Sequence, residues 1–245
     1  MSSVSILSEI WSRATEQLPA PEQWIVWATA GVALLIVLSP TWRVARHVVT
    51  IAHEGAHAFV ALITGRRLTG IRLHSDTSGL TVSSGKPRGL GMVLTAFAGY
   101  TGPGLIGLGA AFMLRQGYGV GLLWLLIVVL ALMLMQIRNW FGLLSILVSA
   151  AALVAVSWFA STQWQTAAAY LVTWFLLLAA PRPVIELQAS RRAGRARTSD
   201  ADMLARLTPL PGLFWVSAFF VVTVGALALG SWWIGAWSIE DLPRF

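Results

Sequence analysis

Two histidines and a glutamate lie within five residues of one another, in His53-Glu54-Gly55-Ala56-His57. On an α-helix, residues four apart lie one turn apart on the same face, so His53 and His57 point the same way. Two imidazoles placed like this suit a single tetrahedral zinc ion. Glu54 follows the first imidazole and is placed to take a proton from a water molecule at the metal. The pattern predicts a hydrolytic zinc site with Glu54 as its general base.

A third protein ligand is expected, because catalytic zinc sites usually combine three protein ligands with one open position for water. Residues 90–185 contain no aspartate, glutamate or histidine, so the ligand must lie outside that stretch. The remaining candidates on the same side of the membrane as the motif are His74, Asp76, Glu186, Asp200 and Asp202.

Several of these candidates also have a simpler structural role. Ser199 and Asp202 form a helix-capping pattern, and aspartates in a first helical turn complement the helix dipole. Asp76 is close in sequence to Arg72, and Glu186 lies among arginines with which it can pair. The residue types alone leave the third ligand open.

The composition indicates a membrane protein. Of the 245 residues, 57% are hydrophobic and 11% are charged, whereas a soluble domain has about 25% charged residues. The apolar residues form long uncharged runs of the length that crosses a bilayer as a helix. The net charge of +7 comes from arginines between these runs, which indicates contact with lipid headgroups and argues against a nucleic-acid partner. Without cysteine, the chain has no disulfide and no thiolate metal ligand.

The apolar runs predict an all-α membrane bundle that forms a single membrane-embedded domain over residues 1–245. A polar segment at 1–23 precedes the bundle, and a basic cytoplasmic loop is predicted at 181–211. Seven transmembrane helices are expected, at about 24–39, 44–63, 90–113, 119–137, 140–160, 164–180 and 212–235.

Basic residues predict the orientation of this bundle, because cytoplasmic loops are enriched in lysine and arginine. If the N-terminus is cytoplasmic and the C-terminus is external, most of the lysines and arginines lie on the inner side of the membrane. The inner side would hold Arg13, Arg66, Arg67, Arg72, Lys86, Arg88, Arg138, Arg182, Arg191, Arg192, Arg195, Arg197 and Arg206. The outer side would hold Arg43, Arg46, Arg115 and Arg244.

A β-hairpin is predicted at residues 68–84, on the cytoplasmic side of the bundle. Apolar and polar residues alternate over 71–76 and again over 80–83, as they do in half-buried strands. Between them, Thr77-Ser78-Gly79 supplies turn residues. The zinc motif would lie 6–10 residues from this end of its helix, where ionisable side chains are costly unless they bind a metal or face water.

At the zinc motif the sequence resembles the site-2 protease group of intramembrane zinc metallopeptidases, and most closely its short bacterial branch without a PDZ domain. The resemblance covers about residues 44–215. Three further stretches carry it: Thr64-Gly65-Arg66 after the zinc helix, 98–104 with its Gly-Pro segment, and Ser199-Asp200-Ala201 followed by 204–208. Among the candidate third ligands, the resemblance favours Asp200.

The resemblance implies a zinc-dependent endopeptidase of the bacterial plasma membrane. Its substrate would be a transmembrane segment of another protein, cleaved within or near the bilayer. Well-studied members carry the aspartate of a Leu-Asp-Gly motif. At the comparable place in this chain, residues 138–142, the sequence has Asn139 and no carboxylate. Asn139 either caps the following helix or donates a hydrogen bond to the oxyanion of the transition state.

A different class of function is also compatible with the sequence. A non-catalytic membrane protein that uses zinc for transport or as a regulatory scaffold would explain the missing Leu-Asp-Gly motif. Glu54 argues against it, because a structural zinc site needs no general base.

Overall fold

The protein is a bundle of helices with one small sheet, as seen in a computed structural model that describes residues 3–194 and 198–236. Arg195, Arg197, Glu240, Asp241 and Arg244 lie outside the described residues. The elements are α1 (Ser3–Thr15), α2 (Gln23–Leu38), α3 (Trp42–Ile63), β1 (Arg67–Leu73), β2 (Gly79–Ser84), α4 (Leu90–Arg115), α5 (Gly119–Leu134), α6 (Trp140–Phe159), α7 (Thr162–Ala179), α8 (Pro181–Arg192), α9 (Asp200–Leu207) and α10 (Gly212–Ser231). A short helical turn, Trp232–Ala236, follows α10.

Each predicted transmembrane segment is helical, but the predicted count of seven is not confirmed. Four spans in the described part of the chain are long and apolar enough to cross a membrane: α4, α6, α7 together with α8, and α10 with the turn after it. Helices α2 and α3 pass the same test only as a pair, and they meet at an angle of 102°. Helix α5 is apolar but has only 16 residues.

The bend between α2 and α3 has a local cause in Ser39-Pro40-Thr41. Proline lacks an N–H and disfavours helical backbone in the residue before it. Ser39 is accordingly extended, with φ −92° and ψ 172°. Its N–H still donates to the Leu35 carbonyl, and its hydroxyl lies 2.7 Å from that of Thr41. The last turn of α2 therefore keeps its hydrogen bonding, and α3 begins in a new direction.

The segment before α2 lies at the end of the bundle where α4 joins α5. Leu18 N–H donates to the Gly117 carbonyl at 2.9 Å, and the Gln17 side chain donates to the Tyr118 hydroxyl. The predicted topology placed these two segments on opposite sides of the membrane, so that part of it is wrong. That topology counts α2 and α3 as two crossings, although a window of apolar residues cannot show whether the chain turns back.

The predicted hairpin is confirmed. Strands β1 and β2 pair antiparallel, and Thr77 in the turn between them has a positive φ of 68°. The outer edge of β1 is also occupied, because Ile71 exchanges backbone hydrogen bonds with Gln136 and Arg138. In the described chain, β1 is thus flanked by β2 on one side and by residues 136–138 on the other.

The stretch at 181–211, predicted as a basic loop, instead contains α8 and α9. Pro181 and Pro183 stand in the first turn of α8, where the missing N–H costs little. Apolar residues three apart in each helix, among them Val184 with Leu187 and Ala201 with Leu204, are buried. Charge dominates the composition of this stretch, but these inward-facing residues hold it against the bundle.

Candidate metal centre

The three predicted zinc ligands lie together. His53 and His57 project from the same face of α3, and their Nε2 atoms are 3.1 Å apart. Asp200, the first residue of α9, places Oδ2 3.4 Å from His53 Nε2 and 3.3 Å from His57 Nε2. Among the described residues, these are the ones grouped closely enough to hold a metal ion.

The spacing of these donor atoms fits zinc. Ligand atoms about 2.0–2.1 Å from a tetrahedral ion lie roughly 3.3 Å from one another. The three separations in this site, 3.1, 3.3 and 3.4 Å, match that edge length. Two imidazoles and a carboxylate are also a donor set that zinc accepts while keeping a fourth position open.

The tautomer of His57 is fixed by its other ring nitrogen. Nδ1 lies 2.7 Å from the carbonyl of Thr95 in α4, and a carbonyl can only accept, so Nδ1 carries the proton. Nε2 is therefore the nitrogen that would bind a metal ion through its lone pair. This arrangement is the usual support of a metal-binding histidine.

Helix α4 approaches the two histidines very closely, because it has Gly99 at the contact. A Cβ atom on Gly99 would lie 2.3 Å from His57 Nε2 and 2.7 Å from His53 Cε1. Next to it, Tyr100 places its ring edge-on to His53 at 4.9 Å and stacks on Phe219 of α10. The glycine makes room for the ligands, and the tyrosine holds one of them in place.

Asp200 is positioned by contacts at the start of α9. Ser199 caps the helix, accepting from the Asp202 N–H, and its hydroxyl donates to the Asp202 carboxylate at 2.6 Å. Arg191 of α8 pairs with that carboxylate. The capping role predicted for Asp202 is confirmed, and it leaves Asp200 free to face the histidines.

The charge state of Asp200 suits a ligand. Burial alone would raise the pKa of this carboxyl group, but the nearby His57 and hydrogen bonds from His53 and His57 outweigh that effect. The pKa of Asp200 therefore lies below its ordinary value, and the group is a carboxylate at neutral pH.

Glu54 lies beside the ligands and is buried against the hairpin. Its Oε1 is 4.0 Å from His53 Nε2, too far for a ligand contact but within reach of a water molecule between them. Thr81 of β2 donates its hydroxyl to Oε2 at 2.7 Å. Gly79 makes the approach possible, because a Cβ there would lie 2.4 Å from Oε1.

The other candidate ligands have separate partners. Asp76 accepts hydrogen bonds from Ser78 in the hairpin turn, which also contains His74. Glu186 pairs with Arg46 at 3.0 Å and with Arg182 at 3.1 Å.

Asn139 stands immediately before α6 but makes no side-chain capping bond. Its amide instead donates to the Leu73 carbonyl at 2.6 Å and accepts from the Leu73 N–H at 3.2 Å. The side chain of Asn139 is therefore engaged by β1.

Three residues of the site carried no signal in the sequence. Thr81 is one β-branched residue in an alternating strand, Gly79 follows two turn residues, and Arg191 is one of several arginines. Their roles depend on which elements meet in space.

Comparison with known proteins supports the same assignment. The family model described as peptidase M50B-like matches residues 24–230. The chain belongs to the peptidase M50B-like family. This membership agrees with the resemblance to site-2 proteases at the zinc motif, and the matched range includes His53, His57 and Asp200. No curated protein and no solved structure matches the chain.

Proposed function

We propose that the protein is an intramembrane zinc-dependent endopeptidase. The observation that carries the proposal is the tetrahedral spacing of donor atoms from His53, His57 and Asp200, with the Glu54 carboxylate 4.0 Å from one of them. The site is built on α3, which belongs to an apolar helix pair, and is packed against the membrane-spanning α4. Membership in a peptidase family supports hydrolysis as the reaction.

In the proposed mechanism, the two histidines and Asp200 hold the ion. Zinc, when bound, would acidify a water molecule and polarise the peptide carbonyl. Glu54 accepts a proton from that water and later delivers it to the leaving amine. The Thr81 hydroxyl holds one carboxylate oxygen, so that Oε1 is directed toward the ligands.

The hairpin supplies a place for an unwound substrate. A helical substrate hides its carbonyls in hydrogen bonds, so it must open locally before it is cleaved. Within the described residues, β1 has both edges occupied, whereas β2 has one free edge beside Glu54. Leu80 and Val82 on β2 are 51% and 43% exposed. A substrate strand added at this edge would lie next to the general base.

In our assignment, Asn139 helps to hold the hairpin in place. Its two hydrogen bonds to Leu73 hold β1 against the start of α6, and through β1 they fix the height of β2 over Glu54. We therefore assign it to positioning the hairpin and not to the oxyanion.

The membrane in question is the bacterial plasma membrane, with the hairpin end of the bundle facing the cytoplasm. Most arginines and lysines of the connecting segments lie at that end, which favours the cytoplasmic side.

The test uses the purified protein in detergent or lipid, with zinc content and cleavage of a transmembrane model substrate measured on the same sample. Glu54→Gln should retain zinc and fold but lose detectable cleavage, because an amide cannot accept the proton. His57→Ala should lose zinc and activity together. Zinc binding with no cleavage of any membrane substrate by the unaltered protein would instead favour a transport or scaffold role.

A further inference from the structure

A cavity of about 580 Å³ opens beside the metal centre. It is bounded by α3, α4, α8 and the residues before α9. Tyr100 and Ser199 line its inner end, and these residues contact or adjoin the ligands: the Tyr100 ring meets His53, and Ser199 precedes Asp200. Arg46 and Glu186 also line it. The cavity therefore leads from the ligands to an ion pair.

The length of this path follows from the geometry of α3. Arg46 precedes His53 by seven residues, so both lie on the same face of the helix, about 10.5 Å apart along its axis. An extended peptide covers that distance in about three residues, at roughly 3.3 Å each. A peptide whose scissile bond lies at the metal would place the side chain of its third residue near Arg46.

The charge at this end of the cavity is positive. Glu186 is shared by Arg46 and Arg182, so two guanidinium groups face one carboxylate. Arg182 has further partners, because it also donates to the Val37 carbonyl and lies over the Trp42 ring at 4.6 Å. Arg46 has Glu186 as its one carboxylate partner in the described chain, and its side chain is 36% exposed. Arg46 also lines the cavity.

We propose that Arg46 forms a subsite for an acidic side chain of the substrate, three residues from the scissile bond. The proposal rests on the proposed function. A guanidinium group beside a membrane, with one carboxylate partner among the described residues, favours a further carboxylate over a neutral or cationic group. The substrates of this protease are therefore those that carry an aspartate or glutamate at that distance.

Paired substrates test the proposal. A transmembrane peptide that the protein cleaves is made with glutamate or glutamine at the third residue before the bond, and separately at the third residue after it. At one of these two positions, kcat/KM should be about tenfold higher for glutamate. Arg46→Gln should bring the ratio to about one, while Arg46→Lys keeps the preference for glutamate. Arg43→Gln, on an exposed residue of the same helix, should leave the ratio unchanged.

Binding to the Glu54→Gln variant separates this proposal from proteolysis itself. The same peptides should show an about tenfold difference in Kd, removed when Arg46→Gln is added. Equal kcat/KM and equal Kd for both peptides at both positions would overturn the subsite while leaving the protease intact. The Kd difference without any cleavage would support the subsite and refute the proposed reaction.

Discussion

At the scale of single residues, the hydrogen bond from Thr81 to Glu54 connects the hairpin to the proposed general base. It holds a buried carboxylate whose other oxygen faces the histidines. Without the Thr81 hydroxyl, the Glu54 carboxylate would no longer be held in the orientation that directs Oε1 toward the histidines. Thr81 thus acts through Glu54 and is not itself a candidate metal ligand.

Replacing Thr81 tests this role. Thr81→Val keeps the shape of the side chain but removes the donor, so kcat should fall about 10- to 100-fold, as expected for a hydrogen bond to a charged group. Thr81→Ser restores the hydroxyl and should stay within about threefold of the unaltered protein. Zinc content, measured in parallel, should be the same in all three. Equal activity of the valine and serine variants would show that the contact has no role in the reaction.

Asp200 and Asp202 form a matched pair for the third ligand. Asp200→Asn should weaken zinc binding by at least about 100-fold, because it removes a direct ligand and second-sphere changes alone cost 10–100-fold. Asp202→Asn removes a charge of the same sign two residues away and should cost only about 1 kcal/mol of stability through the cap. Zinc affinity by competition with a chelator distinguishes them. Normal zinc affinity in Asp200→Asn would remove this residue from the ligand set.

At the scale of elements, the approach of α4 to α3 determines whether the histidines can converge. Gly99 allows that approach at the metal, and Gly102 allows it one turn further, where a Cβ would lie 2.3 Å from that of Ala56. Small residues at a contact between membrane helices allow the two backbones to approach closely. Here this packing also shapes the candidate zinc site.

Gly99→Ala should therefore damage the metal site without unfolding the helix. The added methyl group would displace the His57 imidazole, and zinc affinity should fall at least about tenfold. Gly109→Ala is the control, because it lies on the same helix with nothing within 4 Å of the added atom. That variant should bind zinc normally and unfold at the same or a slightly higher temperature. Zinc affinity that is unaffected by Gly99→Ala would mean that α4 can move away at little cost.

The elements also show how far sequence reasoning extends. His53, Glu54 and His57 were predictable because helical periodicity fixes their relative directions, and alternation predicted the hairpin in the same local way. Asp200 was favoured by resemblance alone, since no local pattern relates α9 to α3. The helix at 181–192 was missed, because its arginines obscure the few apolar residues that pack inward, and for 200–207 only the capping pattern at its start was predicted. Thr81 was missed because its partner is 27 residues away in sequence.

At the scale of the whole molecule, the described contacts place two sets of segments at opposite ends of the bundle. The hairpin and residues 136–139 meet at one end, and the segment before α2 meets the α4–α5 connection at the other. Helix α5 joins these two ends despite its length of 16 residues. With α2 and α3 as one bent crossing, the N-terminal segment lies on the side opposite the hairpin.

Cysteine labelling tests this arrangement, and the chain has no cysteine of its own to interfere. Single cysteines at the exposed positions Lys86 and Arg192 should react with an impermeant reagent only when the cytoplasmic side is accessible. Cysteines at Glu16 and Gln163, also exposed, should react from outside intact cells. If Glu16 and Lys86 become labelled from the same side, α2 and α3 do not form a single crossing.

The division of the ligands between α3 and α9 has a consequence for biosynthesis. His53 and His57 leave the ribosome well before Asp200, which follows His57 by 143 residues. A nascent chain therefore makes α4 to α7 while it holds only two of the three proposed ligands, and two imidazoles alone bind zinc weakly. Under the proposed function, the chain could not cut the helices of neighbouring proteins in the translocation machinery during this interval.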